Sequence, residues 1–171
     1  VSYQPSTNTG IIPTPQFVDF SIFSHDDVFI LDHSCVIIDD NKNEEISKII
    51  NTFKNDIQEI TGLDLVISRK NNTRKHKIIF ELCPIVMKNP QEYDINIFSH
   101  GIYVTSPTPQ GLFYGAQSLK QLIRHQLLTE NNLDIPCYDI YDYPSLEYRG
   151  WMDDISRGPI PTTDFIKEEI R

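Results

Sequence analysis

The stretch Tyr148-Arg149-Gly150-Trp151-Met152-Asp153-Asp154-Ile155-Ser156-Arg157 decides how the rest of the chain is read. It sets two acids and two arginines in a short apolar frame, just after the turn signal Asp142-Tyr143-Pro144. Tyr148, Trp151, Met152 and Ile155 supply apolar faces, so the run is expected to be a strand whose far end presents charge. By composition alone it is a strand with a solvated polar end. Beyond it, Gly158-Pro159-Ile160-Pro161 turns the chain. Thr162 or Thr163 then caps an expected helix with Asp164, Glu168 and Glu169, and Phe165, Ile166 and Ile170 form its apolar stripe. A half-helix after a single strand of this kind is the expected mark of a fragment.

Upstream, the sequence reads as strands around two helices. Asn43 to Thr61 places Ile46, Ile49, Ile50, Phe53, Ile57 and Ile60 at three- and four-residue steps, which aligns one apolar face. Glu44 and Glu45 suit the positive end of that helix, and Gly62 suits its C-terminal cap. Pro109 to His125 reads as the second helix; its Gly111 and Gly115 lower helix propensity and, with the small Ala116, point to close packing on a sheet. Expected strands are Phe17–Phe20, Val36–Ile38, Leu63–Ile67 and Lys77–Leu82, with Asp26-Asp27 and Asp39-Asp40-Asn41 as breaks. Tyr93 to Ser106 reads as a hairpin turning at His100-Gly101. Asn131 to Asp134 is a connecting loop, and Ile135 to Pro144 an extended lead into the opening stretch. Arg69 to Lys75 is a basic, solvated loop, and His100 is a turn histidine with no partner for catalysis.

Composition sets outer bounds. A chain of 171 residues, 39% hydrophobic and 11% aromatic, can bury a core. Its net charge of −9 disfavours nucleic acid and anionic membrane surfaces as partners. Cys35, Cys83 and Cys137 are odd in number and lack zinc spacing, so buried free thiols are expected and no metal or other cofactor is implied. No apolar run is long enough to span a bilayer. With no initiator Met and no charged-then-apolar leader, Val1 is expected to follow a removed signal peptide or another boundary. The compartment is unassigned by these residues, with a secreted or periplasmic one as the expectation.

Arg149-Gly150-x-Met152-x-Asp154-Ile155-Ser156-Arg157 resembles the first barrel strand of the β-N-acetylhexosaminidases, the family 20 glycoside hydrolases. Gly111-Leu112-Phe113-Tyr114-Gly115-Ala116-Gln117-Ser118-Leu119-Lys120-Gln121-Leu122 resembles a helix of that family's small N-terminal domain, and Asp142-Tyr143-Pro144 its Asp-x-Pro lead-in. The first half is similar in layout only, from Ile12-Pro13-Thr14-Pro15 onward. The resemblance implies an α+β domain over residues 1–142, a small sheet with helices packed on one face. It implies that 143–171 is the first strand and helix start of a truncated (β/α)₈ barrel, whose site would lie at the strands' carboxyl ends.

On that resemblance Arg157 contacts hydroxyls of a terminal N-acetylhexosamine, for which a planar, always charged guanidinium is suited. Asp154 orients that arginine or the strand. The family's reaction is retaining hydrolysis of terminal β-linked N-acetylglucosamine or N-acetylgalactosamine. The substrate's acetamide is the nucleophile there, and an Asp-Glu pair on a later strand serves it. Neither Asp153-Asp154 nor Glu168-Glu169 is that pair, so no catalytic residue falls in this chain and it is expected to be inactive alone. The family often places His-Phe after Ser-Arg; Gly158-Pro159 here puts sugar and linkage preference in doubt. Three other readings stay open: the same domain before an O-GlcNAc hydrolase type of barrel, a carbohydrate-binding or interaction module using Tyr138, Tyr141, Tyr143, Tyr148 and Trp151, or a purely structural brace.

Overall fold

The computed structural model describes residues 9–20, 27–40, 42–70, 76–83, 89–150 and 160–170. Nine strands and three helices are described: β1 (Phe17–Asp19), β2 (Val28–Ile30), β3 (Val36–Ile38), α1 (Glu44–Thr61), β4 (Val66–Ser68), β5 (Lys77–Leu82), β6 (Tyr93–Phe98), β7 (Gly101–Ser106), α2 (Pro109–Glu130), β8 (Asp134–Pro136), β9 (Asp139–Asp142) and α3 (Thr163–Ile170). Seven strands form one mixed sheet in the order β1-β9-β6-β7-β5-β3-β4, and β2 pairs with β8 in a separate ribbon. One half of the sheet is parallel, with β3 between β4 and β5, and β5 also parallel to β7. The other half, β7-β6-β9-β1, is antiparallel.

Both long helices lie on one face. Successive side chains of a strand point to opposite sides, so Ile37, Ile78, Phe80, Ile95, Ile97, Ile102 and Val104 share the face that meets Ile46, Ile50, Phe53 and Ile57 of α1 and Leu112, Leu119, Leu122 and Ile123 of α2. All of these are buried. Burying a side chain of this size is worth about 1.5–3 kcal/mol, so this layer is where the fold is held. Among the described residues the opposite face keeps one small apolar cluster, Val36, Ile38 and Ile79 with Tyr103 against it.

The helix ends follow from local chemistry. Asn43 caps α1 by accepting from the Glu45 amide at 2.8 Å, and Gly62 closes it in the left-handed region at φ 77°. Thr108 caps α2 by accepting from the Gly111 amide at 3.2 Å. Thr162 likewise accepts from the Phe165 amide at 3.3 Å at the start of α3.

Several expected bounds move. The hairpin turns at Ser99-His100, because Phe98 pairs with Gly101, which already belongs to β7. The second helix runs past His125 to Glu130: its apolar stripe ends at Ile123, but an exposed turn continues to Asn131, whose left-handed backbone at φ 53° stops it. The strand expected at Leu63–Ile67 forms only from Val66, where pairing with Val36 begins. Ile135–Pro144 splits at Cys137-Tyr138, since β8 pairs with β2 while β9 pairs with β6 and β1. β2 itself is an unforeseen strand; it brings Phe29 into the core. Cys35 and Cys137 are buried thiols as expected, but Cys83 is exposed. Of the stretch expected as a strand, residues 148–150 are irregular and Tyr148 is 85% exposed; Trp151 to Arg157 lie outside the described residues.

Candidate functional site

Where the chain leaves the sheet after β9, it runs back across the side of α2 and encloses a cleft of about 450 Å³. Four segments far apart in sequence build it, Tyr93 of β6 being one. Pro13, Thr14 and Gln16 come from the segment before β1; Tyr114, Gln117, Ser118 and Gln121 from α2; and Asp142, Tyr143, Leu146 and Arg149 from the departing chain. The α2 residues recur at three- and four-residue steps and so form one face of the helix.

The inner wall is a hydrogen-bonded polar group. The Tyr93 hydroxyl lies 2.5 Å from Ser118 Oγ and donates to Asp142 Oδ2 at 2.8 Å. Asp142 Oδ1 accepts from the Gln16 amide at 3.2 Å, so one carboxylate ties β6, β9 and the N-terminal segment together. Burial, together with the neighbouring Asp142 charge, pushes the Tyr93 phenol well above its ordinary range, and it stays protonated as a donor. Gln121 Oε1 accepts from the Ile12 amide at 2.8 Å, and Gln16 Nε2 donates to Ser145 Oγ at 3.2 Å.

The outer wall is fastened by Arg149. Its guanidinium donates to the Leu146 carbonyl at 2.6 Å and to Gln91 Oε1 at 2.8 Å, and lies 5.4 Å from the centre of the Tyr114 ring. Gln91 Nε2 donates in return to the Glu147 carbonyl at 3.5 Å. Around this wall large apolar side chains stay in water: Ile12, Phe113, Leu146 and Tyr148 are all exposed.

The far face of the sheet carries a carboxylate group instead. Glu92, buried, accepts from the Tyr141 hydroxyl at 2.8 Å through Oε2, while its Oε1 has no partner among the described residues. Desolvation, then the charges of Glu92 and Asp139, push Asp94 up to about 6. No group of three or more His, Cys, Asp or Glu among the described residues is arranged to hold a metal ion.

Arg157 and Asp154, the sugar-contact residues expected from the sequence, lie outside the described residues. Of the aromatic candidates, Tyr138 is half-buried against the core and edge-on to Phe20, and Tyr141 is bonded to Glu92. Tyr143 lines the cleft and Tyr148 is exposed. Gln91 and Tyr114 were missed as site residues. Tyr114 lay in a motif read as packing, and Gln91 is 58 residues from Arg149 with no local pattern to mark it.

One mixed sheet under one helical layer, with a polar cleft at the point of departure, defines an α+β domain. Comparison with known proteins gives its family: the description "Glycosyl hydrolase family 20, domain 2" matches residues 8–143, and the chain belongs to that family. It is similar to a beta-hexosaminidase of Porphyromonas gingivalis, with 25% identity over 165 residues, covering 94% of this chain and 20% of that protein. Among solved structures it is similar to the chitobiase of Flavobacterium johnsoniae, at a TM-score of 0.71 and 22% identity, over 98% of this chain and 26% of that one. The exo beta-N-acetylglucosaminidase of Vibrio harveyi, solved with N-acetylglucosamine, matches 82% of this chain and 20% of that one, at a TM-score of 0.63 and 20% identity. The chain thus spans about a fifth to a quarter of the length of these relatives.

Proposed function

We propose that this chain is the supporting domain, with the first piece of the catalytic barrel, of a β-N-acetylhexosaminidase. Residues 1–142 brace the barrel, and 143–171 supply its first strand and the start of its first helix. The observation that carries this reading is the family match over residues 8–143, followed at once by the Arg149-to-Arg157 motif. The whole enzyme would remove terminal β-linked N-acetylglucosamine or N-acetylgalactosamine, with the substrate's acetamide as nucleophile and an Asp-Glu pair beyond Arg171 serving it. Arg157 would hold sugar hydroxyls and Asp154 would orient it. The 171-residue chain lacks that pair and would not turn over substrate.

The cleft supports this reading. Its apolar rim and its bonded inner wall suit a surface that receives more protein. The test is Arg157→Ala in the full-length enzyme, assayed on an aryl N-acetyl-β-glucosaminide. Losing a charged donor to the sugar is expected to lower kcat/KM by roughly 10- to 100-fold, with little change in Tm. An unchanged kcat/KM would remove Arg157 from the sugar site.

A further inference from the structure

We infer that Arg149 is a positioning residue, a clasp that fixes the path of the chain toward Arg157; the inference rests on the enzyme reading above. Its guanidinium joins three separate parts of the molecule: Gln91 before β6, Tyr114 on α2, and Leu146 on the departing chain itself. The bond is reciprocated, since Gln91 Nε2 donates to the Glu147 carbonyl. Gln91 is itself held, its amide donating to Asn89 Oδ1 at 2.9 Å. So the clasp is anchored on the domain and closes on the outgoing backbone.

The side chain needed for this is narrow in type. Two donors must reach separate acceptors while the same charged group lies over an aromatic ring, an arrangement that the fixed, planar fork of a guanidinium suits better than the compact, strongly hydrated ammonium of lysine. Among the described residues nothing lies within 4 Å of the position a Cβ would take at Gly150, the next residue, and the contacts that hold the chain here are those of Arg149. Arg157 follows eight positions after Arg149. Small displacements of a binding group are costly to rate, on the order of 100-fold for a misplacement of about 1 Å.

Two experiments decide it. In the full-length enzyme, Arg149→Lys is expected to lower kcat/KM about tenfold on an aryl N-acetyl-β-glucosaminide. In an Arg157→Ala background the same change is expected to have almost no further effect, because the two residues then act as one unit. An equal loss in both backgrounds would mean general destabilisation and overturn the positioning role. In the 171-residue chain, amide hydrogen exchange at 146–150 is expected to speed up on Arg149→Lys, with Tyr93 and Ser118 unchanged. Unchanged exchange at 146–150 would overturn the clasp whatever the enzyme does. A full-length protein that hydrolyses nothing, with faster exchange in the variant, would leave the clasp standing but overturn its service to Arg157 along with the enzyme reading.

Discussion

Among the described residues the two halves of the sheet each bury one carboxylate; each leaves one oxygen without a hydrogen-bond partner, and they differ in what the other oxygen meets. In the parallel half, Asp39 just after β3 is shielded from water, accepts from Ser47 Oγ at 2.9 Å and pairs with Arg69 at 3.5 Å. In the antiparallel half, Glu92 just before β6 accepts from Tyr141, and no ion pair to it is found among the described residues. A buried charge without a counter-charge is costly. Beside it Asp94 is held up at about 6, first by its own desolvation and then by the charges of Glu92 and Asp139. The parallel half is built for packing around α1. The antiparallel half also carries the bonded cleft and the clasp, and it accepts electrostatic tension beside them.

The largest test of this contrast is steric. A Cβ at Gly111 would sit 2.0 Å from Ser106 Oγ and 2.5 Å from the Glu92 carbonyl, which is backbone and cannot turn aside. Gly111→Ala is expected to cost about 3 kcal/mol in urea unfolding, by lifting α2 from the antiparallel half. A cost below about 1 kcal/mol would show that the helix is not closely seated there. Next come the donors to the two carboxylates. Tyr141→Phe is expected to cost about 2 kcal/mol and Ser47→Ala about 1 kcal/mol, since Asp39 keeps Arg69. Equal costs would dissolve the contrast.

The smallest effect is a gain. Asp94 has its folded value raised above the ordinary 3.8, so its contribution favours folding at low pH and is lost as pH rises from about 4 through about 6. Asp94→Asn is therefore expected to stabilise the chain at pH 7.5, on the order of 1 kcal/mol once screening of a half-exposed group is allowed for, and to change little at pH 4. Thermal unfolding at both pH values checks the sign.

What the sequence made legible follows the range of the interaction. The periodicity of Ile46, Ile50, Phe53 and Ile57, the cap Gly62, and the alternation from Tyr93 to Ser106 are local, and the structure bears them out. The expected packing role of Gly111 and Gly115 also holds, with a Cβ at Gly115 meeting Val104 Cγ1 at 2.6 Å. The sheet order and the ribbon of Val28–Ile30 with Asp134–Pro136 depend on partners a hundred residues away, and no local pattern marks them. The cleft was hidden for the same reason. Gln16 meets Asp142, and Gln91 meets Arg149, only after the chain has folded.

The most direct measurement is hydrolysis of an aryl N-acetyl-β-glucosaminide by the full-length protein, with the 171-residue chain assayed beside it. Release by the full-length protein alone is the result the proposed reading predicts, since that reading assigns the acid pair to the rest of the barrel and the bracing domain to this chain. Release by neither would contradict the enzyme reading and favour a carbohydrate-binding or interaction module. Release by the 171-residue chain itself would contradict the division of labour between domain and barrel.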